Sequence, residues 1–136
     1  MKMEDSQGLC LTGQVAVVTG SAQGIGAGIA KKLAEHGAGV VVHGREKEKE
    51  TAEKILAAIR ELGSEGSVVL GDLQDETHCR QLIRQAIERF GRLDILVNNA
   101  GVVHRGNIEN TSVALWDEIL AVNLRAPFII CQEAVK

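Results

Sequence analysis

Tyrosine is absent from this sequence of 136 residues, and aromatic residues of any kind are rare. Phe90, Trp116 and Phe128 are the whole aromatic complement, so the core of the folded chain must be aliphatic. The sequence also has no run of the roughly 20 apolar residues that a membrane-spanning helix needs. Its beginning lacks the apolar segment of a secretion signal. We therefore expect a protein that is neither secreted nor embedded in a membrane.

The charge and cysteine content of the sequence exclude further classes of protein. Fifteen Lys and Arg residues against 18 Asp and Glu residues leave a formal net charge of −3, which offers no basic surface for nucleic acid or an anionic membrane. Cys10, Cys79 and Cys131 form no Cys-x-x-Cys pair, a pattern typical of reduced thiols in the cytoplasm. With 45% apolar residues, the chain can form one cytoplasmic domain. We place it at residues 13–136, after a flexible arm at 1–12.

What the sequence does contain is an alternation of short β-branched runs with longer amphipathic ones. The runs at 14–19, 39–43, 67–70 and 93–98 are almost continuously apolar and predict strands covered on both faces. Between them, apolar residues recur every three or four positions and predict three helices, carried by Ile25, Ile29 and Leu33, by Ile55, Ile59 and Leu62, and by Leu82, Ile83, Ala86, Ile87 and Phe90.

Each helical pattern is followed by a glycine, Gly37, Gly63 or Gly91, at the position where a left-handed residue would end the helix. The resulting β-α-β-α order predicts a parallel sheet with right-handed crossovers and helices on both faces. The charged run at 45–54 is most simply the solvated first turns of the second helix.

A further helical region is expected near the chain end. Ser112 fits its N-cap, and Pro127 is expected to interrupt it. We expect Trp116 to anchor this region against the sheet. An apolar run, Phe128, Ile129 and Ile130, is expected to be partly exposed in a monomer.

A glycine-rich segment at 19–26, Thr-Gly-Ser-Ala-Gln-Gly-Ile-Gly, directly follows the first predicted strand, and the first helix begins within it. Glycines let a chain turn sharply and bring backbone N–H groups close to a pyrophosphate, which then lies at the positive end of the helix. No Lys followed by Ser or Thr comes after the last glycine, so the segment is not a P-loop. It predicts a site for the phosphates of a dinucleotide, with a purely structural turn as the alternative.

The second predicted strand ends in His43, Gly44 and Arg45, with no carboxylate before Glu46. At this place in a dinucleotide site, an acidic residue binds a free ribose 2′-OH, whereas an arginine can bind a 2′-phosphate. Arg45 therefore favours NADP(H) over NAD(H). The alternative is that Arg45 is only a surface residue in the first turn of the helix.

With these motifs placed, the sequence resembles the N-terminal, cofactor-binding half of the short-chain dehydrogenase/reductase family over residues 10–136. Residues 19–26 match the family's Thr-Gly-x-x-x-Gly-Ile-Gly motif, and 98–101 match its Asn-Asn-Ala-Gly motif. Asp72 and Leu73 match a pair that contacts adenine, and Asn123 matches the family's catalytic asparagine. Four matches in this order make the resemblance specific.

The resemblance implies a partial three-layer Rossmann-type α/β domain with strand order 3-2-1-4, truncated before a fifth strand. It implies that Asp72 and Leu73 hold adenine and that Asn99, Ala100 and Gly101 line the cofactor near its ribose. For Asn98 and Asn99 the alternative is architectural, with the amide satisfying backbone groups, and this is the better interpretation for Asn98. The pyrophosphate would lie against the glycine-rich segment, that is Gly20, Ser21, Gln23, Gly24, Ile25 and Gly26. Relatives that use NADP often carry a basic residue where this sequence has Gln23.

The missing tyrosine bears directly on catalysis. The family protonates the substrate oxygen with a tyrosine that is followed four residues later by a lysine, and this sequence has no tyrosine. Asn123 is the only matched member of the catalytic group, and we expect it to be structural. Lys136 is interpreted as a surface lysine. The histidines share no metal-ligand spacing, and no metal is expected.

These observations predict the dinucleotide-binding half of an NAD(P)(H)-dependent oxidoreductase of the short-chain type, inactive by itself. The alternative is a stand-alone nucleotide-binding or regulatory module that pairs with a full-length relative through its C-terminal helical region. That region could equally form a homo-oligomer. The segments that would define a substrate are not among the residues matched.

Overall fold

The computed structural model describes residues 10–136. The expected arm at 1–12 therefore lies largely outside the described residues, and at its end the Leu11 amide donates to the His36 carbonyl oxygen at 2.8 Å. In chain order the elements are β1 (Val15–Val18), α1 (Gly24–Glu35), β2 (Gly39–Gly44), α2 (Lys49–Glu61), β3 (Gly66–Leu70), α3 (Glu76–Phe90), β4 (Ile95–Val97), α4 (Val113–Leu120) and α5 (Ala126–Ala134).

Within the described residues, the strands form one parallel sheet in the order β3-β2-β1-β4. Val17 of β1 pairs with Val41 of β2 on one side and with Leu96 of β4 on the other. The predicted order 3-2-1-4 is confirmed. All four strands end at the same edge of the sheet, which is where open α/β sheets bind ligands.

Two apolar layers cover the sheet because successive strand residues face opposite sides. Val17 and Val41 pack with α3 and α5, whereas Val18, Val40 and Val42 pack with α1 and α2. The three-layer Rossmann-type arrangement is thus confirmed. Gly37, Gly63 and Gly91 have φ angles of 97°, 86° and 80°, as predicted for residues that end helices.

The predicted apolar face of α1 is partly wrong. Ile25 is 79% exposed, whereas Ala27, Ala30 and Ala34 are buried against the sheet. Small side chains bring this helix close to the strands, and that close approach, rather than the position of the largest apolar residues, sets the rotation of the helix.

The C-terminal region also differs from expectation. Ser112 caps α4, since its hydroxyl accepts from the Leu115 amide at 3.1 Å. Trp116, however, is 60% exposed and does not anchor the helix, while Ile129 and Ile130 are buried. Of the expected exposed run, only Phe128 is exposed, at 65%.

The α-helical region is interrupted close to Pro127, as predicted, and Pro127 itself lies in the first turn of α5, where a proline is tolerated. The irregularity is a π-helical segment, Ala121–Arg125, between α4 and α5. It contains Asn123. No helix among residues 10–136 is both long and apolar enough to cross a membrane.

Candidate functional site

The glycine-rich segment passes from β1 into α1 at the carboxyl edge of the sheet, and two of its glycines are required by close approach. Gly20 has a φ of 62°, and a Cβ there would lie 2.9 Å from the Ala100 Cα. At Gly26 a Cβ would overlap the Gly20 carbonyl oxygen and would lie 2.5 Å from the Asn99 Nδ2. The helix therefore begins directly against the loop, with its first amides at the edge of the sheet.

A hydrogen-bonded junction joins this segment to the end of β4. The Asn99 Nδ2 donates to the carbonyl oxygens of Thr19 and Gly20 at 3.0 and 3.2 Å. The buried Thr19 hydroxyl accepts from the amides of Asn99 and Ala100, both at 3.0 Å. The architectural role weighed for the two asparagines thus falls to the Asn99 side chain. For Asn98 that interpretation is wrong, because its side chain is exposed and its amide contacts the Cys131 sulfur at 3.4 Å rather than a backbone group.

A cleft of about 510 Å³ opens at the same edge. It collects residues from the turns after β1, β2, β3 and β4. Nine of the predicted cofactor residues line it: Gly20, Gln23, Gly24, Arg45, Asp72, Leu73, Asn99, Ala100 and Gly101. The remaining three lie elsewhere: the Ser21 side chain is fully buried, Gly26 is buried under the loop, and the Ile25 side chain is exposed on α1.

The charged end of the cleft lies after β2. Glu48 accepts from the Arg45 backbone amide at 2.9 Å and from its Nε at 3.0 Å, which holds the guanidinium at the cleft. Partial burial acts to raise the pKa of Glu48, but the hydrogen bonds from Arg45 outweigh it and lower that pKa. Lys47 also lines the cleft, so a second cation is present that the sequence analysis did not identify.

At the end of β3, Asp72 and Leu73 form another wall. The Asp72 Oδ1 accepts from the Gln74 amide at 2.8 Å, which shapes the turn into α3. Leu73 is 6% exposed and belongs to the apolar layer between the sheet and α3. Asp72 itself is exposed, so its carboxylate can reach a ligand in the cleft.

Asn123 faces the loop after β4. Its Oδ1 accepts from the Val102 amide and its Nδ2 donates to the Val102 carbonyl oxygen, both at 2.8 Å. The side chain therefore fixes the chain just beyond Gly101, as the structural interpretation predicts. The π-helical turn places the asparagine where this pair of bonds can form.

A buried histidine pair that the sequence did not lead us to expect lies at the cleft, and His43 is one of the residues that line it. The Nε2 atoms of His43 and His78 lie 3.1 Å apart, and the two side chains are 2% and 8% exposed. Burial lowers the pKa of His43 to about 4, and burial also lowers the pKa of His78. The one signal in the sequence is the position of His43 at the end of an otherwise apolar strand.

Lys136 does not line the cleft. Lys136 donates to the buried Glu133 at 2.9 Å, as does Arg84 at 2.9 Å, and these bonds lower the pKa of Glu133 to about 2. This cluster joins α5 to α3. Among the described residues, no group of three or more His, Cys, Asp or Glu side chains could hold a metal ion.

Comparison with known proteins gives a consistent result. Residues 14–136 match the profile of a family described as short chain dehydrogenase. The chain is 42% identical over 126 residues to an uncharacterized oxidoreductase of Thermotoga maritima, covering 91% of this chain and 48% of that protein. It is 38% identical over 134 residues to a versicolorin reductase of Emericella nidulans, covering 98% of this chain and 50% of the relative. The chain thus spans about half the length of the curated relatives it matches.

Comparison with solved structures gives the same result. A short chain dehydrogenase from Burkholderia cenocepacia in complex with NADP superposes with a TM-score of 0.89 at 38% identity, covering 92% of this chain and 51% of that one. A dehydrogenase/reductase from Sinorhizobium meliloti superposes with a TM-score of 0.90 at 41% identity, covering 93% of this chain and 50% of that one.

Proposed function

Since this chain belongs to the short-chain dehydrogenase/reductase family of oxidoreductases, we propose that it binds a nicotinamide dinucleotide in the cleft at the carboxyl edge of its sheet, with NADP(H) preferred to NAD(H). The observation that carries the proposal is the shared cleft. Nine of the residues chosen from four separate stretches of sequence meet there.

The pyrophosphate end fits the glycine-rich segment. No side-chain cap and no acidic residue occupy the first turn of α1 in the described chain, so its amides are available to an anion. Gly26 keeps the helix close to the loop, where a side chain would separate them. Gly20, Gln23 and Gly24 would therefore surround the phosphates.

The adenosine end fits the opposite wall. Asp72 would accept from the adenine amino group, and the Leu73 backbone would assist. Arg45 and Lys47 would bind the ribose 2′-phosphate, and Glu48 positions the guanidinium for it. Ala100 and Gly101 would line the central part of the cofactor. The complex of the Burkholderia cenocepacia relative with NADP supports the choice of a phosphorylated dinucleotide.

In the family, a bound nicotinamide would donate a hydride to a carbonyl carbon or accept one from the carbinol carbon of an alcohol. The residues of this chain contribute binding and orientation, and Asn123 fixes the loop beyond Gly101. With no tyrosine to act as the proton donor, we propose that the 136-residue chain by itself binds the dinucleotide without turning over a ketone or an alcohol.

Two measurements on the purified chain test this function. Titration of NADPH and NADH, followed by calorimetry, should give saturable binding with the lower Kd for NADPH. No saturable binding of either would refute the dinucleotide site. Measurable oxidation or reduction of a carbonyl substrate panel by the chain alone would refute the proposed lack of turnover.

A second candidate function is a module that pairs with a full-length relative or with a second copy. The observation that favours it is an exposed apolar stripe of four side chains spaced four residues apart, namely Trp116, Leu120, Leu124 and Phe128. Such a stripe on one helical face is typical of a surface that another protein covers. We also propose a cytoplasmic location, because the three cysteines form no Cys-x-x-Cys pair, a pattern typical of reduced thiols.

Size-exclusion chromatography with light scattering tests the pairing. We expect a dimer, or a complex with an added full-length relative, that the substitution Phe128→Glu converts to monomer. Asp117→Lys, at an exposed position on α4 outside both the stripe and the cleft, serves as the control for a change of charge. A native chain that stays monomeric in both settings contradicts the pairing function.

A further inference from the structure

The buried histidine pair is the point at which three walls of the cleft meet. His43 is the penultimate residue of β2, just before the turn that carries Arg45, and His78 lies in the first turn of α3, after the turn that carries Asp72. The His43 imidazole also reaches the glycine-rich segment, because its Nδ1 accepts from the Gly20 amide at 3.3 Å. One hydrogen-bonded unit therefore touches the turns after β1, β2 and β3.

Backbone bonds at the same place show that His43 clamps the glycine-rich segment. The Ser21 amide donates to the His43 carbonyl oxygen at 2.8 Å, and the His43 amide donates to the Ser21 hydroxyl at 2.9 Å. The hydroxyl in turn donates to the Val18 carbonyl oxygen at 2.7 Å. The imidazole adds the last contact of this clamp, to Gly20.

The partners of each ring nitrogen define where the protons lie. The His43 Nδ1 accepts a proton from the Gly20 amide, so in a neutral ring the proton is on Nε2. That Nε2 then donates to the His78 Nε2, which must be unprotonated, and the His78 proton is on Nδ1. The pair satisfies all three facing atoms only when both rings are neutral and each has this tautomer.

Gly71 provides the space for the second ring. A Cβ at this position would overlap the His78 imidazole at its Nδ1 and Cε1 atoms. Gly71 follows β3 and its φ is not positive, so the backbone conformation does not require a glycine there. The open face of Gly71 is therefore what lets His78 approach His43.

Resting on the proposed dinucleotide function, we propose that His43 and His78 are positioning residues that hold the glycine-rich segment in register with the adenosine wall for cofactor binding. They do so as a neutral pair with a fixed proton order, His43 donating and His78 accepting. Loss of the His78 acceptor leaves the buried His43 ring with the Gly71 carbonyl oxygen as its remaining acceptor, which favours a shift of the ring and releases the Gly20 amide.

The surrounding charges are compatible with a neutral pair. Glu46 and Glu48 lie on the side of the turn after β2, and Asp72 and Asp75 lie on the side of α3. Each of these carboxylates acts to raise the pKa of the histidine it faces, but burial is the largest effect and lowers the pKa of both. We therefore expect the neutral form of both rings to predominate at pH 7.

Two measurements that need no cofactor test the pair. Long-range ¹H–¹⁵N NMR of the imidazoles at pH 7 should show the Nε2–H tautomer for His43 and the Nδ1–H tautomer for His78. Hydrogen exchange of the Gly20 amide should accelerate about fivefold or more in His78→Leu and in Gly71→Ala, the loss expected for one hydrogen bond. A charged ring at pH 7, the opposite tautomers, or unchanged Gly20 exchange would overturn the assignment.

Measurements of cofactor binding then connect the histidine pair to the proposed function. His78→Gln keeps an acceptor near the Nε2 position and should leave the Kd for NADP⁺ within about twofold, whereas His78→Leu should raise it about fivefold. His36→Gln, at an exposed histidine after α1, is the matched control and should have no effect. Equal effects of Gln and Leu at position 78 contradict the positioning role. If the native chain shows the expected tautomers but binds no dinucleotide, the proposed function fails while the pair stands as a structural clamp.

Discussion

Replacing Arg45 with alanine tests the choice of cofactor most directly. Glu48 engages the backbone amide and the Nε of Arg45, and within residues 10–136 no protein group binds its two terminal nitrogens. Those nitrogens are available to a 2′-phosphate, and the side chain lines the cleft. The substitution should therefore weaken the binding of NADPH and leave the binding of NADH nearly unchanged.

The size of the expected loss in NADPH affinity follows from the exposure of the Arg45 side chain. A hydrogen bond to a charged group contributes about 1.5–3 kcal/mol. The Arg45 side chain is 51% exposed, so solvent screening places the expected loss at the lower end of that range. About 1.5 kcal/mol corresponds to a Kd for NADPH raised roughly tenfold. Lys47→Ala should cost less, about two- to threefold, because a lysine binds phosphate as a flexible point charge.

Calorimetric titration of both cofactors at low ionic strength is the appropriate assay. Lys54→Ala is the matched control, because it removes the same charge from an exposed site on α2 that does not line the cleft. It should change the Kd for NADPH by less than twofold. Equal losses of NADPH and NADH affinity in Arg45→Ala, or equal losses in Arg45→Ala and Lys54→Ala, would refute the assignment of the 2′-phosphate to Arg45.

Three further predictions concern stability. Gly26→Ala should lower the free energy of unfolding in urea by about 1–3 kcal/mol, because its Cβ overlaps the loop, whereas Gly28→Ala meets no atom within 4 Å and should raise it by up to about 1 kcal/mol. Asn123→Ala should cost about 1 kcal/mol and speed exchange of the Val102 amide, and an unchanged exchange rate would contradict its bridging role. Since burial lowers the pKa of His43 from 6.5 to about 4, its neutral form contributes stability above pH 6.5 that is lost as the pH falls towards 4. That contribution is on the order of 3 kcal/mol, and chemical denaturation at pH 7 and 4.5 should show a smaller decrease in His43→Asn than in the native chain.

Periodicity predicted the elements well because each strand is a short buried run and each helix has an apolar face. The strands occur where expected, although β4 shrinks to Ile95–Val97. The rotation of α1 was not predictable, because glycine and alanine carry little hydrophobic signal although they allow the closest packing. The prediction that Trp116 anchors the C-terminal helices was wrong for the opposite reason. A large apolar side chain is strongly hydrophobic by itself, but what covers its surface depends on contacts that local sequence does not specify.

The site was predictable where a residue acts through its own type and position, as with Arg45 after β2. It was not predictable where function depends on a partner distant in sequence. His43 and His78 are 35 residues apart, and they meet only because β2 and β3 are neighbours in the sheet. A search for metal-ligand spacing could not find them, since their partners are each other and a backbone amide.

The motif residues divide into two groups once their contacts are known. One group binds backbone groups at the carboxyl edge, where the strands end and their backbone groups no longer pair with a neighbouring strand; its members are Ser21, Asn99 and Asn123. Arg45 and Asp72 instead present charge at the cleft. Substitution in the first group should lower stability and cofactor affinity together, because the same bonds shape the edge and hold the fold. Substitution in the second should change affinity more than stability, although Asp72 also accepts from the Gln74 amide. A match to the family motif at this edge therefore reflects the architecture of the sheet as much as contact with the cofactor.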